Sequence, residues 1–386
     1  MEPLISPNQT IELHPTVNAG GAVLVDFQLR ELLDQGRIAG TVELNDIQPC
    51  SLDLRTGNRM WEVAGIPDLK DGFSFQAFID EYGYNTYSVE DCEQGRTLTG
   101  GTYLVELGVD LKFQPDEWGY VNPKSSAGRI DLHCIVIAEG GTQFNIVPRG
   151  YQGKLFAILV PQSFYVKLQS GVSLTQLRIF RGERKFLDNQ ALRELHSKYG
   201  LIDNPGLEPV IDDDHLILRI DLQSNPSNLV ITGTRKPILL TAKGTIEPKV
   251  YFRVKQLDGN GGLWLEPDEF ALLATVERVR IPVGVCAEMV SFSDVHGELR
   301  SHYAGFFDRG FGYGEHGEMA GNTAVCEVRN KAAVPVRLSH GQLIARFKFE
   351  YLKTEPNMVY GAVGQVSNYS SQVAIKLAKF FAPWSE

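Results

Sequence analysis

The chain has 386 residues, 43% of them hydrophobic and 22% charged, with a formal net charge of −10. That length accommodates two domains with a core each, and no apolar run approaches the roughly 20 residues that a membrane helix needs. An acidic chain has no broad basic face from which to release counterions, which argues against a nucleic-acid partner and leaves room only for a small anion in a local cationic pocket.

The first residues, Met1-Glu2-Pro3-Leu4-Ile5, lack the basic and apolar regions of a signal peptide, so a cytoplasmic protein with no membrane partner is expected. Residues 26–35 put Leu29, Leu32 and Leu33 on one helical face and stop at Gly36, which predicts a short amphipathic helix. The pattern then changes. Short β-branched and aromatic runs punctuated by Gly, Pro, Asn and Asp follow at 42–44, 51–54, 103–111, 132–138, 154–160, 165–168 and 174–180. Such spacing predicts a compact sandwich or barrel rather than alternating strands and helices. Residues 186–199 form the next predicted helix, with Asp188 near its start and Gly200 past its end.

The loop Ile202-Asp203-Asn204-Pro205-Gly206 marks the expected boundary, dividing the chain into 1–205 and 206–386. Strand patterns resume at 216–222, 229–232, 250–254, 270–279, 324–329, 334–338 and 343–349. The halves are weakly alike in order: residues 171–180 answer 341–347, and 150–153 answer 310–312. A tandem duplication of one β fold explains this most simply. The five cysteines (Cys50, Cys92, Cys134, Cys286 and Cys326) are widely spaced and mostly inside apolar runs, as buried free thiols are.

Chemistry concentrates at Lys124-Ser125-Ser126-Ala127-Gly128-Arg129, where two cations flank two hydroxyls at a turn, the composition of an anion-binding corner. In the other half, alternation along residues 324–330 puts Val325 and Glu327 on one face and Cys326 and Val328 on the other. His316-Gly317-Glu318 matches half of the zinc-deaminase signature, but no P-C-x-x-C accompanies it, so no zinc and no protein metal site are expected.

These pieces resemble the dCTP deaminase branch of the dUTPase-like superfamily. Ile47-Gln48-Pro49-Cys50-Ser51-Leu52-Asp53-Leu54-Arg55 is similar to the family's early strand motif, and Lys124 to Arg129 to its serine and arginine motif. Phe307-Asp308-Arg309-Gly310-Phe311, with Ala304 just before it, resembles the nucleoside-binding hairpin, and Ala324-Val325-Cys326-Glu327-Val328-Arg329-Asn330 the strand bearing the catalytic glutamate. The match is divided. The first half has Val147-Pro148-Arg149-Gly150-Tyr151 without the aspartate and Ile158 where the glutamate is expected; the second has Ser291-Phe292-Ser293-Asp294-Val295 without the arginine.

The resemblance implies a mainly β protein of two tandem dUTPase-like barrel or sandwich domains with a few short helices, and one composite site. It implies Glu327 as general base on a water held by Ser125 and the Ala304 carbonyl, Arg129 stabilising developing charge, and Lys124 and Ser126 on phosphate. Asp308 would meet the sugar 3′-hydroxyl and Phe307 would pack on the sugar. The tail with Tyr369 and Gln372 resembles a triphosphate-closing segment whose usual lysine is Asn368 here. The implied substrate is dCTP, with Mg2+ riding on its phosphates, and the implied assembly is a homo-oligomer. A dUTP diphosphatase, a bifunctional enzyme and a non-catalytic nucleotide-binding regulator are the alternatives. The sequence leaves open whether the two half-sites meet within one chain or between chains.

Overall fold

The computed structural model describes residues 20–88, 95–291, 299–300, 305–361, 369 and 374–385. In the first half the sheet runs Leu132–Ala138, Gln152–Pro161, Thr102–Lys112, Leu52–Val63, Ser173–Arg181, Glu117–Pro123 and Ile146–Val147, with every neighbouring pair antiparallel. The second half repeats that order. Asn322–Asn330 pairs with Phe270–Val279, which pairs with His215–Asp221, then Leu343–Tyr351, Val285–Ser291 and Gly305–Phe307. Strand for strand the pairings correspond, as expected of a duplicated mainly β fold. Neighbours far apart in sequence close each sheet into a barrel-like layer around its own apolar side chains.

Long apolar runs became strands with the predicted bounds, as at Leu132–Ala138 and Phe270–Val279. The expected strand at 42–44 is absent. Gly40, at φ +107, ends the short strand Ile38–Gly40, and the chain turns into the 3-10 segment Leu44–Asp46, where the Glu43 N–H donates to Asp46 Oδ2 at 2.8 Å. The second predicted helix forms over Asn189–Tyr199, with the Asp188 carboxylate accepting from the Ala191 N–H at 2.8 Å and Gly200 leaving it at φ +69. Its Leu192 is buried in the second-half core. An unpredicted helix, Phe75–Tyr82, inserts Phe75 and Phe78 into an aromatic cluster in the first half.

The halves share a core. Leu229, Tyr251, Phe252, Phe270 and Leu272 from the second half lie in one cluster with Leu52, Val105, Leu132 and Ala157 from the first. Four cysteines, Cys50, Cys134, Cys286 and Cys326, are buried free thiols; Cys92 lies outside the described residues.

Candidate active site

The strand Glu117–Pro123 ends at Pro123, which is paired with Thr175, and Lys124 opens a single helical turn, Ser125–Gly128. The Arg129 N–H donates back to the Ser125 carbonyl at 3.0 Å and closes it. Small residues permit this, since Ser126, Ala127 and Gly128 are all buried where a bulkier side chain would not fit. The turn swings Lys124, Ser125, Ser126 and Arg129 into one cavity of about 260 Å³. Arg129 is buried, donates from Nη1 to the Lys376 carbonyl, and holds its guanidinium 3.9 Å from the centre of the Tyr369 ring. Stacking of this kind contributes about 0.5–2 kcal/mol and fixes the plane of the fork.

Glu327 enters the same cavity from the opposite half. Its strand, Asn322–Asn330, pairs with Phe270–Val279 so that Glu327 sits opposite Leu272. Val325 and Glu327 line the cavity, while Cys326 and Val328 belong to the second-half core, the predicted alternation. Burial, aided by the nearby Glu327 charge, pushes the Cys326 thiol well above its ordinary range. The two half-sites therefore meet within a single chain.

The hairpin supplies the third wall. Gly305–Phe307 lies against the serine turn so closely that a Cβ added to Gly305 would stand 3.8 Å from Ser125 Oγ. Phe307 is held by Phe347 and Phe311 at centroid distances of 4.4 and 5.0 Å. Asp308 is buried at the cavity edge, its Oδ1 accepting from Cys50 Sγ at 2.9 Å and from Arg178 Nη2 at 3.3 Å. Gly310, at φ +97, lets Val359 and Tyr360 cross close by: a Cβ there would meet Val359 Cγ1 at 2.4 Å. Tyr360 and Tyr369 complete the rim. Ala304 and Gln372 lie outside the described residues, as does most of the 291–295 segment.

Several cavity residues escaped the sequence reading. Asp53 faces in and pairs with Lys124 Nζ; burial raises its carboxyl above the ordinary value against the pull of that ammonium. A signal existed, since Asp53 lies within the early strand motif Ile47 to Arg55. Gln176 and Lys379 also line the cavity, and the fully buried Arg178 anchors Asp308 from behind. Lys379 had no local signal, because its approach depends on the chain end folding back onto the first half.

Among the described residues no three His, Cys, Asp or Glu side chains gather to hold a metal ion. Of the cavity carboxylates, Asp53 is occupied by Lys124 and Asp308 by Arg178. Glu318 of the His316-Gly317-Glu318 match accepts from the Glu315 and His316 N–H groups at 2.9 and 2.7 Å, closing its own loop.

Residues 20–183 match the model of the 2′-deoxycytidine 5′-triphosphate deaminase N-terminal domain, and residues 188–381 match that of the C-terminal domain. The chain is 25% identical over 170 residues to a protein of Methanobrevibacter smithii named dCTP deaminase, dUMP-forming, an alignment spanning 43% of this chain and 82% of that one. It is 31% identical over 139 residues to the dCTP deaminase of Natronomonas pharaonis, spanning 34% and 66%. The crystal structure of 2′-deoxycytidine 5′-triphosphate deaminase from Agrobacterium tumefaciens superposes with a TM-score of 0.79 at 28% identity, covering 88% of this chain and all of that one.

Proposed function

This chain belongs to the 2′-deoxycytidine 5′-triphosphate deaminase family, whose two domain models it matches in tandem, and from that premise we propose that it hydrolyses dCTP to dUTP and ammonia. The observation that carries the reading is the meeting of Ser125 and Arg129, from one half, with Glu327, from the other, on one buried cavity.

Replacing the 4-amino group requires a hydroxide equivalent at C4 and a proton for the departing nitrogen. Glu327 takes a proton from a water that the Ser125 hydroxyl and the Ala304 carbonyl hold; the oxygen adds to C4, and the same proton returns to the amine, which leaves as ammonia. One water is consumed and no charge is lost. Arg129, its fork fixed by Tyr369 and the Lys376 carbonyl, stabilises the charge that develops on the tetrahedral centre. Lys124 and Ser126 meet phosphate, Phe307 packs on the deoxyribose, and Asp308, steadied by Cys50 and Arg178, accepts from the 3′-hydroxyl. Tyr369 and Gln372 belong to the segment that closes over the nucleotide. Mg2+ accompanies the triphosphate as part of the substrate. Ser125, Arg129, Asp308, Glu327 and Tyr369 lie on one cavity within one chain, and a homo-oligomer is the assembly expected of it.

A second reading has a specific support: relatives from Methanobrevibacter smithii and Nocardioides are named dUMP-forming. In that case Asp308 would also hold a water against the α-phosphate. Ammonia and pyrophosphate should be followed separately from dCTP and dUTP. Glu327→Gln is predicted to retain dCTP binding and to lower ammonia release at least 1,000-fold; wild-type ammonia release from that variant would remove Glu327 as the base. Pyrophosphate without ammonia from the wild-type protein would replace the deaminase reading by the diphosphatase.

A further inference from the structure

The strand that carries Glu327 and the turn that carries Ser125 are tied to each other a second time, just beyond the cavity. Val325, Glu327 and Arg329 share one face of Asn322–Asn330. Arg329 reaches across to the first half, where its Nη1 pairs with Asp131 Oδ2 and donates to Ser163 Oγ at 3.0 Å. Asp131 lies two residues past Arg129, at the end of the serine turn, and is fully buried. We infer that Arg329 and Asp131 are positioning residues: they fix Glu327 against Ser125 and Arg129, and so set the rate of the reaction rather than the affinity for nucleotide. This rests on the reading of Glu327 as the base.

Both partners are rigid with respect to the groups they serve. Side chains two residues apart on one face of a strand stand about 7 Å from each other, so Glu327 is bracketed. On one side of it Val325 packs into the shared core with Leu132 and Ala157, and on the other Arg329 is held by charge. The exposed Asp268 steadies Arg329 Nη2 from its own half at 3.3 Å. Across the seam, the Asp131 N–H donates to the Gly128 carbonyl at 2.9 Å, and its own carbonyl accepts from the Gln162 N–H at 3.1 Å. The Ser163 hydroxyl donates to its carboxylate. Asp131 also stands at φ +51, a left-handed angle that costs most residues and that aspartate tolerates. The chain accepts that angle at the residue that makes the contact.

Stability alone does not account for the pair. Taking two charges out of water offsets most of their attraction, and apolar side chains would close this seam as well as they close the shared core. An ion pair adds direction, since a guanidinium meets a carboxylate in few geometries. The grip on the nucleotide is anchored elsewhere: Asp308 is tied to the first half by Cys50 and Arg178, and Lys124 and Ser126 belong to the serine turn itself. Loosening the clasp therefore shifts Glu327 while those contacts stay in place. A misplacement of about 1 Å costs on the order of 100-fold in rate.

Steady-state ammonia release from dCTP by Asp131→Asn, Arg329→Gln and the double variant tests this. Asparagine tolerates the left-handed angle, so Asp131→Asn removes the charge and keeps the backbone, and a melting curve for each variant sets a temperature at which it is folded. Each single variant is expected to lower kcat about 10- to 100-fold and to change KM less than threefold. The double variant should be no slower than the slower single one, because the two residues act as one device. Arg329→Lys, which keeps the charge, should recover part of the loss. A pair that only holds the halves together would lower the melting temperature and leave kcat within twofold; that result, losses that multiply in the double variant, or a loss carried by KM, overturns the inference. Absence of ammonia from the wild-type chain removes the deaminase reading instead. The clasp is then decided by a crystal structure of Arg329→Gln: a Glu327 carboxylate displaced from Ser125 Oγ by about 1 Å or more upholds it, and an unmoved carboxylate overturns it.

Discussion

Lys379 carries a cost that its position makes measurable. Its ordinary value of 10.5 falls to about 8 in the folded chain, first through burial and then through Lys124. Below pH 8 both folded and unfolded chains hold this proton, and the penalty for burying the charge is fully present. Between about 8 and 10.5 the folded chain releases the proton while the unfolded chain keeps it, so the unfolded state binds more protons and this residue's contribution to stability rises with pH. Lys379→Met should therefore raise the melting temperature of the nucleotide-free protein at pH 7, and the gain should shrink steadily by pH 10. A gain equal at both pH values would mean that packing, not charge, sets it. The same substitution is expected to weaken dCTP binding, which is the usual conflict between stability and function at a binding site. At this scale the sequence was legible wherever chemistry was local. Ser125, Arg129 and Glu327 stood out by residue type within their runs, whereas Lys379 and Gln176 gain meaning only from what folds against them.

Corresponding strands of the two halves have diverged at one decisive position. In Asn322–Asn330, Glu327 opens onto the cavity; in Gln152–Pro161, Ile158 sits opposite Leu104 and is fully buried among Trp61, Phe75, Phe156 and Ile135. Phe75 stacks on Phe156 at 3.9 Å between centroids, so the helix Phe75–Tyr82 helps to seal the place where a second site would lie. Restoring the carboxylate should not restore a site. Ile158→Glu is predicted to destabilise the protein by about 3–5 kcal/mol, because the new carboxylate would be buried among apolar side chains while Arg59, stacked over Trp61, is already paired with Glu106. A urea titration checks it, and a variant as stable as the wild type would show that the cluster can open to water. Strand legibility follows the same logic. Leu132–Ala138 and Phe270–Val279 are apolar enough to be read directly, whereas Glu117–Pro123 contains Glu, Gly, Asn and Pro and is a strand only because Ser173–Arg181 and Ile146–Val147 pair on either side of it. The helix at Phe75–Tyr82 was missed because its aromatic residues suit a strand equally well, and tertiary burial decided between them.

Both ends of the described chain cross to the opposite half. Near the start, Val23 bridges to Phe180 of the first half and to Leu352 of the second, and Gly21 approaches so closely that a Cβ would stand 2.0 Å from the Tyr351 carbonyl oxygen. Near the end, Ile375, Leu377, Phe380 and Phe381 return from the second half into the shared core. Between them, Arg184 ties Glu350 to Glu288, which also accepts from Tyr120 at 2.6 Å. Neither half presents a finished surface to the other. Two domains joined by a linker ordinarily melt separately, because their interface is small and polar. Here the same side chains complete both barrels, so opening one half exposes the core of the other. Urea unfolding is expected to be a single transition, with tryptophan fluorescence and far-UV circular dichroism giving the same midpoint. The probes are well distributed: Trp61 and Trp118 report on the first half, Trp264 and Trp384 on the second. Phe380→Ala should lower that midpoint for both probes together, by an amount equivalent to about 3–5 kcal/mol, since it empties a fully buried position in the common core. Two separated midpoints, or a Phe380→Ala effect confined to one probe, would show that the halves fold independently and that the cavity between them can come apart without unfolding either.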